Sequence, residues 1–150
     1  MADKKNIIRK VTEKDSKRIW EIRNHSICRR NFHDQKEIDF KHHNSWFKNQ
    51  YFNNQDNHCY VLEKDCLIVG YCRFDLKGNG LLVSIAIDPN YHGRGLGSEL
   101  LGKSSRMLKT ERDILAEVQK TNMPSIKIFE ENKFIKYKED KEYYYYKLIK

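Results

Sequence analysis

Four of the seven glycines in this 150-residue chain lie between Gly93 and Gly102. They belong to the segment Ile85-Ala86-Ile87-Asp88-Pro89-Asn90-Tyr91-His92-Gly93-Arg94-Gly95-Leu96-Gly97-Ser98, which passes from an apolar strand-like run through a turn into a helical pattern. Glycine has no Cβ, so the backbone there can close in on a ligand. The free N–H groups of Gly95, Leu96, Gly97 and Ser98 at a helix start would meet that ligand with the positive end of the helix dipole. A pyrophosphate suits such a nest. The loop of nucleotide hydrolases ends in Gly-Lys-Ser/Thr and the dinucleotide fingerprint needs G-x-G-x-x-G. Neither pattern is present, which excludes both classes.

Periodicity places the elements that must hold this loop. Ile7, Ile8 and Val11 predict a first strand, and Thr12 caps a helix that turns Ile19, Trp20 and Ile22 inward and ends near Asn24. A polar loop, His25 to Glu37, follows. Asp39 caps a second helix carrying Phe40, His43, Trp46, Phe47 and Tyr51. Strand-like runs at Cys59–Glu63, Leu67–Leu76 and Leu81–Ile87 are separated by Lys64-Asp65 and by Lys77-Gly78-Asn79-Gly80, which predicts an antiparallel meander. A helix over Gly95–Lys109, a strand over Ile114–Val118, a short helix over Ser125–Asn132 and strands over Phe134–Lys138 and Tyr143–Ile149 complete the order. The result is a mixed α/β layer with helices on both faces.

Composition narrows the partners. Lys and Arg number 29 against 21 Asp and Glu, but residues 1–75 carry 15 basic and 11 acidic groups and residues 76–150 carry 14 and 10, so each half is only +4. No basic stripe for nucleic acid emerges, although a diffuse positive field would attract an anionic substrate. The longest charge-free stretch, Gly78 to Ile87, is half the roughly 20 residues of a membrane span. The N-terminus (Asp3, Lys4, Lys5, Arg9, Lys10) has no apolar leader, so a cytoplasmic location is expected. Cys28, Cys59, Cys66 and Cys72 lack C-x-x-C spacing, and three of them fall in or directly beside strand-like segments. They are expected to be small buried hydrophobes, with no metal site. Nothing marks a boundary, so residues 1–150 are one domain.

His92-Gly93-Arg94-Gly95-Leu96-Gly97 resembles the acetyl-coenzyme A loop of the GCN5-related N-acetyltransferases, Arg/Gln-x-x-Gly-x-Gly/Ala after the fourth strand, with His92 in place of the usual Arg or Gln. Asn122-Met123-Pro124-Ser125 followed by Phe129-Glu130-Glu131-Asn132-Lys133-Phe134 is similar to a second segment of that family, with Lys133 where a glycine is usual. The resemblance implies a single-domain fold with a mostly antiparallel seven-stranded sheet, four flanking helices, and strands four and five splayed to hold acetyl-CoA. It assigns the cofactor to Ile85, Ile87, His92, Gly93, Arg94, Gly95, Leu96, Gly97, Ser98, Asn122, Ser125 and Phe129. Asn122 can equally be a helix cap.

Arg23-Asn24-His25, Ile38-Asp39-Phe40-x-x-His43-x-x-Trp46-Phe47, Val69 to Asp75 and Val83-Ser84-Ile85 resemble more loosely the bacterial N-acetyltransferases of nucleotide-linked 4-amino-4,6-dideoxy sugars, of the pseudaminic and legionaminic acid type. By that likeness Arg23 and His43 lie near a substrate diphosphate, and Asn24, Trp46, Arg73 and Asp75 border the acceptor. Arg23 can alternatively pair within its own helix, His43 can be a core histidine, and Arg73 and Asp75 can pair with each other. Acetyl transfer needs a neutral amine, and Glu117, interrupting the apolar strand Ile114–Val118, is the preferred base, or else an exposed charge on the strand's outer face. Phe129 stands where many relatives have a tyrosine acid, which leaves Ser84, water, a tyrosine of the last strand, or a thiolate departing unprotonated. The Ile87 N–H would polarise the carbonyl. The expected partner is a small nucleotide-sugar amine, with a homodimer as the protein partner considered. A peptide or protein N-acetyltransferase of the same fold, and a non-catalytic acyl-CoA-sensing or RNA-binding module, stay open.

Overall fold

A computed structural model describes residues 6–149. Asp3, Lys4 and Lys5 of the sequence argument above lie outside that range. In chain order the elements are β1 (Ile7–Lys10), α1 (Ser16–Asn24), α2 (Ser26–Arg29), α3 (Phe40–Tyr51), β2 (His58–Lys64), β3 (Leu67–Lys77), β4 (Gly80–Ile87), α4 (Leu96–Met107), β5 (Ile114–Gln119), α5 (Met123–Glu131), β6 (Ile135–Glu139) and β7 (Tyr143–Leu148). The expected order holds, with five α-helices in place of four. The addition is α2, one turn inside the segment read as polar loop, which buries Cys28. The start of the first helix also differs. The Thr12 N–H donates to Asp15 Oδ2 at 2.7 Å and caps a 3₁₀ turn, so α1 begins only at Ser16.

The seven strands form one sheet in the order β1-β2-β3-β4-β5-β7-β6. All neighbours are antiparallel except β4 and β5. Each face has its own core, because alternate residues of a strand point to opposite sides. One face packs Tyr60, Leu62, Phe74, Leu81 and Ile114 under Leu96, Leu100 and Leu101 of α4 and Phe129 of α5. The other packs Val61, Tyr71 and Ala86 under Ile19 and Ile22 of α1 and Phe47 of α3. Each fully buried side chain of this size contributes about 1.5–3 kcal/mol. Helices α1 and α3 lie over the β2–β4 part of their face, and over β5 and β7 that face presents the partly exposed Leu115, Glu117, Gln119, Tyr143 and Tyr145.

Two local readings change. The β2–β3 hairpin turns at Asp65 and Cys66, with φ of +53° and +67°, because Lys64 still pairs with Leu67 and a two-residue loop needs left-handed backbone at both positions. Cys66 is therefore exposed in a turn, whereas Cys28, Cys59 and Cys72 are buried as expected. Gly97 and Gly102 serve helix packing: a Cβ would stand 2.7 Å from Ile128 Cδ1 at Gly97 and 2.7 Å from Asn132 Oδ1 at Gly102. Their bare backbones let α4 and α5 sit close together.

Candidate active site

Strands β4 and β5 pair only at Leu81 with Ile114 and Leu82 with Leu115, and then part. The Leu81 N–H donates to Asp113 O at 2.9 Å, so the odd-numbered residues of β4 turn their backbone groups towards β5. Beyond the last pair, the backbone of Ile85 and the N–H of Ile87 open onto the gap, while the side chains of both pack against the core beneath α4. The Ile87 carbonyl is already engaged. His92 Nε2 lies 2.8 Å from it and the Cys28 thiol donates to it at 3.6 Å. The His92 ring thus closes the loop from behind.

At the far end of β4, Gly95 is the N-cap of α4 with φ +74° and no side-chain cap, and Gly93 has φ +77°. A Cβ at either would meet nothing within 4 Å, so conformation and the access kept open on that side select glycine there. The N–H groups of Leu96, Gly97 and Ser98 are first-turn donors of a 12-residue helix with no capping side chain. Leu96 and Gly97 bury their remaining atoms, Ser98 accepts from Asn132 Nδ2 at 3.1 Å, and the Arg94 guanidinium lies 5.1 Å from the Tyr91 ring centre. A run of unmet donors beside a parted strand pair fits the pyrophosphate and pantetheine arm of acetyl-CoA, which would bring a thioester as the electrophile. Asn122 caps α5, accepting from the Ser125 N–H at 3.3 Å, so both residues of the second motif act locally. Phe129 lies in the core, its ring centre 5.0 Å from that of Phe134 and 6.2 Å from that of Tyr146.

Ser84 and Glu117 are each two residues past the last β4–β5 pair, on the face that also carries α1 and α3, so they flank the mouth of the gap. Glu117 Oε2 accepts from Lys77 Nζ at 2.5 Å, and Oε1 lies 3.1 Å from His33 Nε2. On the same face, towards α3, Arg23 and Arg73 hold their guanidinium carbons 4.7 Å and 5.1 Å from the centre of the Trp46 ring. Arg73 Nη1 donates to Asp75 Oδ2 at 2.6 Å, and the Tyr51 hydroxyl donates to Asp75 Oδ1 at 2.7 Å. Burial opposes the Arg73 cation, but Tyr51, Asp75 and Tyr71 outweigh it and raise its pKa. The Arg23 side chain makes no hydrogen bond or ion pair among the described residues. Burial first, and repulsion by Arg73 second, push its pKa down. Arg73 Nε and the Tyr71 hydroxyl, both buried, also lack a hydrogen-bond partner.

Two residues read as substrate contacts are in supporting positions instead. The Asn24 side chain donates to Ile38 O at 3.0 Å and accepts from Ile38 N–H at 2.9 Å, pinning the loop to α1. His43 is fully buried, its ring stacked 5.8 Å from Phe47, and burial followed by Arg23 lowers its pKa to about 4. It is a neutral core ring under the site and reaches no surface ligand. The sequence carries no site signal for His33, Lys77, Tyr51 or Tyr71, which the fold brings beside these residues. Tyr51 carried only a core signal, and nothing in the polar loop distinguishes His33 from its neighbours.

The model of the Acetyltransferase (GNAT) family matches residues 20–134. No protein of curated function matches the chain by sequence. Among solved structures, an N-acetyltransferase from Staphylococcus aureus Mu50 is 21% identical with a TM-score of 0.79, over 97% of this chain and 99% of that one. The Campylobacter jejuni N-acetyltransferase PseH in complex with acetyl coenzyme A is 23% identical with a TM-score of 0.68, over 96% and 98%. Spermidine N-acetyltransferase from Vibrio cholerae in complex with CoA and spermine is 14% identical with a TM-score of 0.81, over 96% and 95%. At these identities the structures speak for the fold, and the family model speaks for the sequence. The family model covers most of the chain, which belongs to the Acetyltransferase (GNAT) family as an acetyl-CoA-dependent N-acetyltransferase.

Proposed function

We propose that the acceptor is a primary amine carrying a phosphate-rich group away from the amine, the 4-amino group of a nucleotide-linked amino-dideoxy sugar, acetylated by direct attack in a ternary complex. The observation that carries this reading is Arg23, a partly exposed guanidinium without an ionic partner, next to Arg73 on one tryptophan ring. With Asp75 already shared by Arg73 and Tyr51, the local balance favours an anion, and a planar guanidinium can grip phosphate oxygens with two donors. The same balance repels a polycation, which sets polyamines as the competing class, as the spermidine enzyme among the neighbours suggests. A peptide acceptor is the other alternative.

The division of labour follows from the faces. The amides of Gly95 to Ser98 would hold the pyrophosphate, and the N–H of Ile87 would polarise the thioester carbonyl. Glu117, at the mouth of the gap, would take the amine proton, with Lys77 compensating its charge. Ser84 stands across from it on β4, and with Phe129 in the core the thiolate is left to Ser84, to water or to depart unprotonated. The domain that does this spans residues 1–150. The test is an acceptor panel of nucleotide-linked amino sugars, free amino sugars, polyamines and short peptides, read by thiol release. Fastest turnover on a nucleotide-linked amino sugar is expected. Fastest turnover on a polyamine or peptide, unaffected by Arg23→Ala, would refute the sugar-nucleotide reading and leave the acetyltransferase intact.

A further inference from the structure

We propose that His33, on the loop between α2 and α3, is a positioning and proton-relay residue: it steadies the Glu117 carboxylate at the mouth of the gap and passes the proton collected there to solvent. This builds on Glu117 being the base. The two oxygens of Glu117 are divided between Lys77 Nζ at 2.5 Å and His33 Nε2 at 3.1 Å. The carboxylate side chain is 15% exposed and the imidazole 62%, so the ring connects a shielded acceptor of protons to bulk water. Lys77 cannot fill that role, since as a cation it has no lone pair to receive a proton.

The ring is held in place from two sides. It stacks on Tyr143 of β7 with centroids 4.5 Å apart and planes 19° from parallel. Its loop is tied down by the Asn24–Ile38 pair, by the Trp20 indole donating to Ile38 O at 2.6 Å, and by Arg29 donating to Asn24 O at 2.9 Å and Gln35 O at 3.0 Å. The titratable groups around it are Glu117 of β5, Lys77 of β3, and Tyr143 and Tyr145 of β7. Tyr145 lies opposite Glu117 in register and gives its hydroxyl proton to Asp140 at 2.6 Å. An exposed histidine on a polar loop needs no such fixation for solubility. A histidine that must meet one carboxylate does.

The step balances as follows. An N–H bond of the acceptor ammonium breaks and its proton goes to Glu117. The freed nitrogen lone pair forms the C–N bond as the C–S bond breaks, with its electron pair on sulfur. A second nitrogen proton ends on the thiolate. Glu117 then gives the first proton to His33, which releases it to water, restoring both side chains. Ammonium and thioester become amide, thiol and one proton.

Three variants test this with a UDP-linked 4-amino-4,6-dideoxy sugar, spermidine and an alanyl peptide as acceptors, since the relay serves any amine that turns over. His33→Ala and His33→Gln are both expected to lower kcat by about 10- to 100-fold with calorimetric acetyl-CoA affinity unchanged, because glutamine can hold Glu117 but cannot carry the proton. Added imidazole should restore His33→Ala and leave Glu117→Gln inactive. In the ¹⁵N-labelled protein without substrates, Glu117→Gln should move the His33 Nε2 resonance. Full activity of His33→Ala beside an inactive Glu117→Gln would overturn the relay and spare the base. Full activity of His33→Gln would reduce His33 to a structural tie. A fully active Glu117→Gln would remove the base and the relay together.

Discussion

The two halves of the proposed active site are made of different material. On the proposed cofactor side the groups on offer are main-chain: the amides that open α4 and the backbone of β4 where β5 has turned away. On the proposed acceptor side they are side chains from four distant stretches, with Arg23 on α1, Trp46 on α3, Arg73 on β3 and Glu117 on β5. A backbone site depends on conformation and tolerates change in side chains, as His92 illustrates by folding back onto Ile87 O. A side-chain site depends on identity and on the tertiary contacts that aim each group. The first should be conserved in chemistry across acceptors, and the second is where specificity is written.

This contrast can be broken in three ways, beginning with the largest effect. Glu117→Gln keeps shape and polarity and removes basicity, so kcat is expected to fall roughly 100- to 10,000-fold with acetyl-CoA binding intact. Calorimetry and turnover measured on the same sample separate the halves, and a parallel loss of cofactor affinity would show that they are not independent. Gly95→Val acts on the other half. Its φ of +74° is left-handed, which costs a β-branched residue about 1–2 kcal/mol, and the new side chain enters the space kept open on the loop. A tenfold or greater loss of acetyl-CoA affinity in a folded protein is expected, read by titration calorimetry with circular dichroism as the check on folding.

The third and smallest effect concerns the support beneath the acceptor side. Burial, and then Arg23, lower the His43 pKa from its ordinary 6.5 to about 4. The unfolded chain therefore binds this proton first, so stability is fully present above about pH 6.5 and is lost as pH falls towards 4. His58, also lowered by burial, adds to the loss with the same sign, and the depressed carboxylates of Asp15 and Asp88 act at still lower pH. Urea unfolding between pH 7 and 4.5 should show His43→Phe losing less stability over that range than wild type, by on the order of 2 kcal/mol. Parallel curves would mean that His43 is not the neutral ring described.

Legibility in the sequence follows the same division. Strand alternation, the Asp39 helix cap and the glycine run are local signals, and they place nearly every element, including the glycine-led start of α4. Helix α2 escaped because four residues are too few for a periodic signal. On the acceptor side, Asn24 and His43 have the chemistry of ligand contacts, and only the fold reveals that one pins Ile38 and the other is buried against Phe47. His33 shows the converse, a loop residue made specific by a contact 84 positions away. Composition and spacing do not encode partners at that range.

The central claim is that the acceptor side reads an anion through Arg23. The most direct test compares a nucleotide-linked amino sugar with the same amino sugar lacking the nucleotide diphosphate, as the ratio of kcat/KM, in the wild-type protein and in Arg23→Ala. A charge-assisted hydrogen bond contributes about 1.5–3 kcal/mol, so the wild-type preference should shrink by roughly 10- to 100-fold in the variant while kcat on the bare sugar is retained. An unchanged ratio would contradict the account, because the unpaired guanidinium over Trp46 would then be reading nothing on the substrate.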